Sequence, residues 1–252
     1  MKKLLLFIIP LFAACTFQIP VDETLLELPA FDKDAVIIEH KGFTLSYDEA
    51  NHIPFWVAYE LTDEETHGNE DRGDRMFSMD PELGRNQAMR EDYSGSGWTR
   101  GHLAPAADFR WDSEAMDETF YLTNICPQSE ALNAGDWEFL ERKVRDWARK
   151  YGKVWVVAGP VIGRNTYGTI GKRTDVTVPD AFFKAVMAYD GMKYISIAFV
   201  MGNDDERYYL RDCAMSVDEL EKLTGYDFFA SMDDDVEAAA ENSWEGAPWG
   251  IR

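Results

Sequence analysis

Only three cysteines occur in 252 residues, at positions 15, 126 and 213. That is too few for a disulfide framework, so Cys126 and Cys213 either pair with each other or stay as separate buried thiols. No Cys-x-x-Cys or His-Glu-x-x-His spacing is present, which argues against a zinc site. Gly-x-Ser-x-Gly is missing too, and Ser94-Gly95-Ser96-Gly97 reads as a flexible turn rather than a nucleophile elbow. No apolar run reaches the roughly 20 residues needed to cross a bilayer. There is no internal repeat and no composition shift marking a second domain. Positive charge is scarce: 25 Lys and Arg face 46 Asp and Glu, for a net charge of −21. Such a field opposes a polyanion at long range, so phosphate binding has to come from local basic surface.

What is present begins with a leader. Lys2 and Lys3 precede an apolar run from Leu4 to Ala14. Two cations, a short apolar stretch and small residues before a break read as an export signal over residues 1–14. Phe12-Ala13-Ala14-Cys15 also looks like a bacterial lipobox, with Cys15 as the lipid-bearing first residue after cleavage. The expectation is an exported chain in the bacterial periplasm or at the cell surface, lipid-anchored through Cys15. Residues 15–33, with Pro20 and Pro29, read as a tether.

One α+β domain is expected over 34–230, with a central, mainly antiparallel sheet and flanking helices. Strand-like runs begin at Val36, Phe43 and Phe55 and recur at 120–122, 154–157, 182–187 and 194–200. Residues 62–97 are polar and glycine-rich and read as a long irregular excursion, a kind of segment that tends to carry function. A short helix is expected from Ser113 to Asp117. The clearest helix spans 135–150, where Trp137, Leu140, Val144, Trp147 and Ala148 form one apolar stripe closed by Gly152. Ser216 and Glu219 make a capping box for a last helix ending at Gly225. Residues 231–252 form an acidic tail, and within it 231–245, without Lys or Arg, read as solvated or as a loose helix.

The chemistry-bearing residues gather in the middle of the chain. Thr99-Arg100-Gly101-His102 is followed by Asn124, Asn133, Glu141 and Arg145. A base, a hard-cation ligand and guanidinium groups are what metal-assisted phosphodiester cleavage needs. His102 sits among small residues, here read as a loop open to a phosphate, and its ordinary pKa near 6.5 suits a general base. At about 100° per residue, Glu141 and Arg145 lie side by side on the flank of the apolar stripe. That placement fits a plain i,i+4 ion pair as well as a pair facing a cleft. Asn133 fits a helix N-cap as well as a magnesium ligand. Arg142, Lys143, Arg145, Arg149, Lys150 and Lys153 make local basic surface, and Arg100 and Arg110 flank the histidine segment.

Residues 98–147 contain W-T-R-G-H-L-A-P-A-A-D, F-Y-L-T-N-I-C-P-Q, L-N-A-G-D-W and L-E-R-K-V-R-D-W. In these four linked motifs the chain resembles the DNA/RNA non-specific endonucleases, the endonuclease G-like branch of the ββα-metal nucleases. The resemblance extends more loosely from Val36 to Phe229. It implies His102 as general base, Asn133 as the protein ligand of Mg²⁺ (with Mn²⁺ as a substitute), and Glu141 as the acid orienting metal-bound water. It further implies Asn124 as an amide holding the site, and Arg100 and Arg145 as phosphate-stabilising groups. Thr99 stands where the family motif usually begins with Asp, and can orient its neighbours through its hydroxyl without the charge. Cys126 takes no catalytic role.

The expected function is hydrolysis of DNA and RNA with little sequence preference, leaving 5′-phosphates. A nuclease-fold surface protein that binds nucleic acid with weak or no catalysis is the alternative. A phosphodiesterase of small or lipid substrates fits the same residues. A homodimer is a partner arrangement to test.

Overall fold

The computed structural model describes residues 23–164 and 166–251; the leader, Cys15 and the tether up to residue 22 lie outside the described residues. The strands are β1 (Val36–Glu39), β2 (Thr44–Asp48), β3 (Ile53–Thr62), β4 (Thr99–His102), β5 (Ile125–Gln128), β6 (Lys153–Val161), β7 (Thr169–Ile170), β8 (Val176–Thr177), β9 (Ala181–Tyr189), β10 (Tyr194–Gly202) and β11 (Ala214–Met215). The helices are α1 (Ser113–Glu118), α2 (Trp137–Tyr151), α3 (Leu210–Cys213), α4 (Val217–Thr224), α5 (Asp234–Glu241) and α6 (Gly246–Trp249). Seven strands form one antiparallel sheet in the order β1-β2-β3-β6-β9-β10-β11, with β4-β5 and β7-β8 as separate hairpin-like pairs. This is the α+β architecture expected.

Both faces of the sheet are buried, which is why its central strands read as nearly continuous apolar runs. Alternation along β9 sends Phe182, Lys184 and Val186 to one face and Phe183, Ala185 and Met187 to the other. The first face packs with α2 through Trp137, Leu140, Val144 and Trp147. The second packs with Val217 and Leu220 of α4 and with Phe228 and Phe229. Gly152 closes α2 at φ 82°, a left-handed cap that a side chain would strain. The Ser216–Glu219 capping box opens α4 as the sequence indicates.

Several expectations change. Residues 120–122 are not a strand: Phe120 and Leu122 make only a bridge to Ser78, and the strand lies at Ile125–Gln128. Pro127 within that strand disguises it in the sequence, since proline is confined to edges and bulges. Cys126 and Cys213 are free buried thiols. The acidic C-terminal stretch is not a solvated tail. Ala240 and Glu241 of α5 are buried, and Trp249 of α6 packs edge-on to Trp147 and accepts the Trp147 indole N–H through its carbonyl at 2.8 Å. Glu241 therefore leaves water, and burial with Glu221 and Glu237 nearby pushes its carboxyl up to about 9. The end of the tether is docked as well: Leu26 is fully buried, and Tyr194 donates to Glu23 at 2.9 Å.

Candidate active site

His102 lies on a strand rather than a loop. β4 pairs antiparallel with β5, setting His102 opposite Ile125 and Gly101 opposite Cys126. Gly101 is needed for packing against protein, not for room at a phosphate. A Cβ there would sit 2.1 Å from Gln128 Oε1 and 2.7 Å from Gln128 Cβ. Alternation on β4 turns Arg100 and His102 to the same side, where both meet Phe77.

The His102 ring lies tilted against Phe77 at 5.3 Å and edge-on to Phe120 at 5.2 Å. Its Nε2 is buried without a hydrogen-bond partner. Burial, and then the positive charge of Arg72, push its pKa down to about 3. The imidazole is therefore neutral across the physiological range and able to accept a proton. A phosphodiester anion entering beside it offsets Arg72 and makes the ring more basic.

Asn124 is fully buried and spends its amide on the backbone. Its Oδ1 accepts from Ala104 N–H, and its Nδ2 donates to the Ala104 and Thr119 carbonyls, all at 2.9 Å. These bonds pin the chain directly after His102. With its amide so engaged, Asn124 has no polar atom left for substrate.

Asn133 occupies a π-helical turn, Leu132–Asp136, that runs into α2. It is not an N-cap, and the 100° wheel does not carry across this turn; π-bulges of this sort recur at functional sites. Thr99 sets the Asn133 side chain. The Thr99 hydroxyl donates to the Gln128 carbonyl at 2.8 Å and accepts from Asn133 Nδ2 at 2.9 Å. That fixes the amide so its oxygen is the free end. Thr99 thus orients its neighbour through its hydroxyl.

One cleft of about 440 Å³ collects His102, Asn133 and Glu141, with Arg72, Arg110 and Glu138 on its walls. Arg100 and Arg145 do not line it. The Arg100 guanidinium lies between the Phe77 and Tyr93 rings and donates to the Arg90 carbonyl at 2.8 Å. Arg145 pairs with buried Asp108 at 2.6 Å and not with Glu141, so the i,i+4 ion pair does not form. Asp108 also accepts from the Tyr59 hydroxyl at 2.9 Å. Behind this pair sits Lys184, fully buried, 4.7 Å from the Trp137 ring centroid, its Nζ without a hydrogen-bond partner. Burial raises the Glu141 carboxyl above the ordinary carboxylate range, with Lys184 pulling the other way.

The cleft's oxygen donors, an unpartnered amide oxygen and a carboxylate, fit a hard divalent cation with most of its water shell retained. Motif reading missed Arg72 and Asp108. Arg72 lies in the 62–97 excursion, whose length was the available signal. Asp108 closes the A-P-A-A-D motif but carries no mark of its pairing with Arg145, 37 residues on.

A family model described as DNA/RNA non-specific endonuclease matches residues 27–235. Mitochondrial nuclease EXOG of Xenopus laevis is 38% identical over 212 residues, covering 78% of this chain and 59% of that protein. Mitochondrial endonuclease G of Homo sapiens is 34% identical over 211 residues, covering 79% of this chain and 71% of that protein. A crystal structure of the EndoG/EndoGI complex matches with a TM-score of 0.74 at 29% identity, covering 83% of this chain and 90% of that one. The chain spans less than two thirds of the length of the EXOG relatives it matches.

Proposed function

Because the chain belongs to the DNA/RNA non-specific endonuclease family, we propose that it is a divalent-metal-dependent endonuclease acting on DNA and RNA with little sequence preference. The observation that carries this reading is the convergence of His102, Asn133 and Glu141 on one cleft walled by Arg72 and Arg110. Neutral His102 takes a proton from water as the water oxygen attacks phosphorus in line. The P–O3′ bond breaks and the departing O3′ takes a proton from solvent, leaving a 3′-hydroxyl and a 5′-phosphate. Arg72 and Arg110 offset the negative charge that grows on the phosphoryl oxygens. Asn133, held by Thr99, and Glu141 are the residues that would hold Mg²⁺, or Mn²⁺ in its place. When bound, the ion supplies Lewis-acid stabilisation of the leaving oxygen. Arg145 and Arg100 act behind the cleft as positioning residues, Arg145 through Asp108.

A polymeric substrate is favoured over a small diester by the groove that continues from the cleft past Ala134 and Glu138. It is lined by Arg142, Lys143, Arg207 and Arg211, with Phe139 and Tyr209 exposed. Cations tracking a backbone beside exposed aromatic rings suit a single strand read without regard to sequence. The test is degradation of plasmid DNA and RNA with Mg²⁺ and with EDTA, beside His102→Ala. Mg²⁺-dependent loss of both polymers that vanishes in the folded variant is expected. Unchanged cleavage by His102→Ala would remove the mechanism. Export and lipid attachment at Cys15 belong to the same reading. They are supported by the charged, apolar leader and are tested by whether Cys15→Ser moves the protein from the membrane to the soluble fraction.

A further inference from the structure

Away from the cleft, α4, the turn after it and α5 bring five carboxylates together. One oxygen each from Asp218, Glu221 and Glu241 lies within 4.8 Å of the others. A second set, Glu221, Asp227 and Glu237, meets the same limit and shares Glu221. Glu241 is 2% exposed, and its Oε1 is buried with no hydrogen-bond partner. A buried, unpartnered carboxylate is costly unless something neutralises it. The local chain offers little to do so: Lys222 beside Glu221 is its one cation, and Leu223 to Ile251 contains no Lys or Arg. Phe228 N–H donates to Glu221 Oε1 at 2.9 Å, which orders that oxygen but adds no full charge. The helix is nonetheless held in place, with the Ser196 hydroxyl donating to the Ala240 carbonyl at 2.9 Å.

Oxygens bound to one calcium ion at about 2.3–2.6 Å lie no more than about 5 Å apart. The spacing of Asp218, Glu221 and Glu241 falls within that span. Magnesium, at about 2.1 Å and with strict octahedral geometry, keeps most of its waters and is seldom held in an all-protein cage, so a cluster of carboxylates suits calcium better. We propose that Asp218, Glu221 and Glu241 form a Ca²⁺ site that fastens α5 to α4, with Glu237 and Asp227 adding negative charge beside it. The site is separate from the catalytic cleft and does not depend on the nuclease reading.

The experiment is thermal unfolding of the full chain during titration with Ca²⁺ alone to about 10 mM, with Asn133→Ala and Glu241→Gln run in parallel. In wild type and Asn133→Ala alike, Tm should climb with the logarithm of Ca²⁺ above its Kd, by about 5–10 °C at a 100-fold excess. Glu241→Gln should lose that rise while melting, metal-free, no lower than wild type, because a neutral amide relieves the crowding of charge. Should Glu241→Gln fail to fold, Asp218→Asn provides the same comparison at a half-buried position. No Ca²⁺ response in wild type would overturn the proposal and identify Glu241 as a buried neutral acid. A response lost in Asn133→Ala but kept in Glu241→Gln would also overturn it, by placing the ion in the cleft.

Discussion

Replacing Thr99 by Val removes one hydroxyl and leaves the side chain's shape nearly unchanged. Two hydrogen bonds go with it, to the Gln128 carbonyl at 2.8 Å and from Asn133 Nδ2 at 2.9 Å. Each is worth about 1 kcal/mol net, and an amide left unsatisfied costs about 1–3 kcal/mol. Asn133 is then free to rotate, so its oxygen is aimed at the cation only part of the time. Loss of a group that orients a metal ligand typically costs about 10–100-fold in metal affinity or activity. The assay is the initial rate of plasmid nicking against Mg²⁺ concentration. Thr99→Val should raise the half-saturating Mg²⁺ about 10–100-fold, with a smaller fall in the saturated rate. Thr99→Ser, which keeps the hydroxyl, should stay near wild type. A Thr99→Val enzyme with wild-type Mg²⁺ dependence would refute the idea that this hydroxyl sets Asn133.

Three further outcomes can be checked. His102 has a folded pKa near 3, below its ordinary 6.5. The unfolded chain therefore takes up a proton first, and stability is lost as pH falls from about 6.5 towards 3, by up to a few kcal/mol; urea unfolding of wild type across that window should fall more steeply than that of His102→Gln. Gly101→Ala pushes a methyl group into Gln128 and should cost about 1–3 kcal/mol, part of which Gln128→Ala in the same chain should recover; an unchanged melting point in the single variant would count against the close approach. Arg142→Ala with Arg211→Ala should weaken single-strand binding and flatten its log–log salt slope by about 0.7 per lost phosphate contact, while leaving hydrolysis of a small diester unchanged; equal loss on both substrates would remove the groove from the substrate path.

Much of the site was readable from the chain because it is carried by short motifs with local causes. The apolar stripe of α2 dictated its helix and buried face, and the same stripe placed Glu141 at its edge. The Ser216 capping box and Gly225 bounded α4 through interactions within a few residues. His102, Asn124 and Asn133 stood out because their motifs are linked in order. Other features failed to show for definite reasons. Strand β5 holds a proline, and its partner is chosen by pairing across about 25 residues. The π turn depends on how the chain enters α2, so a regular wheel misplaced Asn133.

By itself the sequence determined most strands of the central sheet, the main helices and the acidic balance, since propensity and periodicity act over a few residues, and its linked motifs singled out the candidate base and cation ligands. Only the tertiary structure decided which arginines face the cleft. Arg72 and Arg110 line it, while Arg145 is drawn to Asp108 and Arg100 to the Phe77 and Tyr93 rings. It also decided that the acidic C-terminal stretch packs instead of trailing in water. Both outcomes turn on charges meeting partners far away in the chain, and that meeting is settled by burial and pairing, which no local pattern encodes.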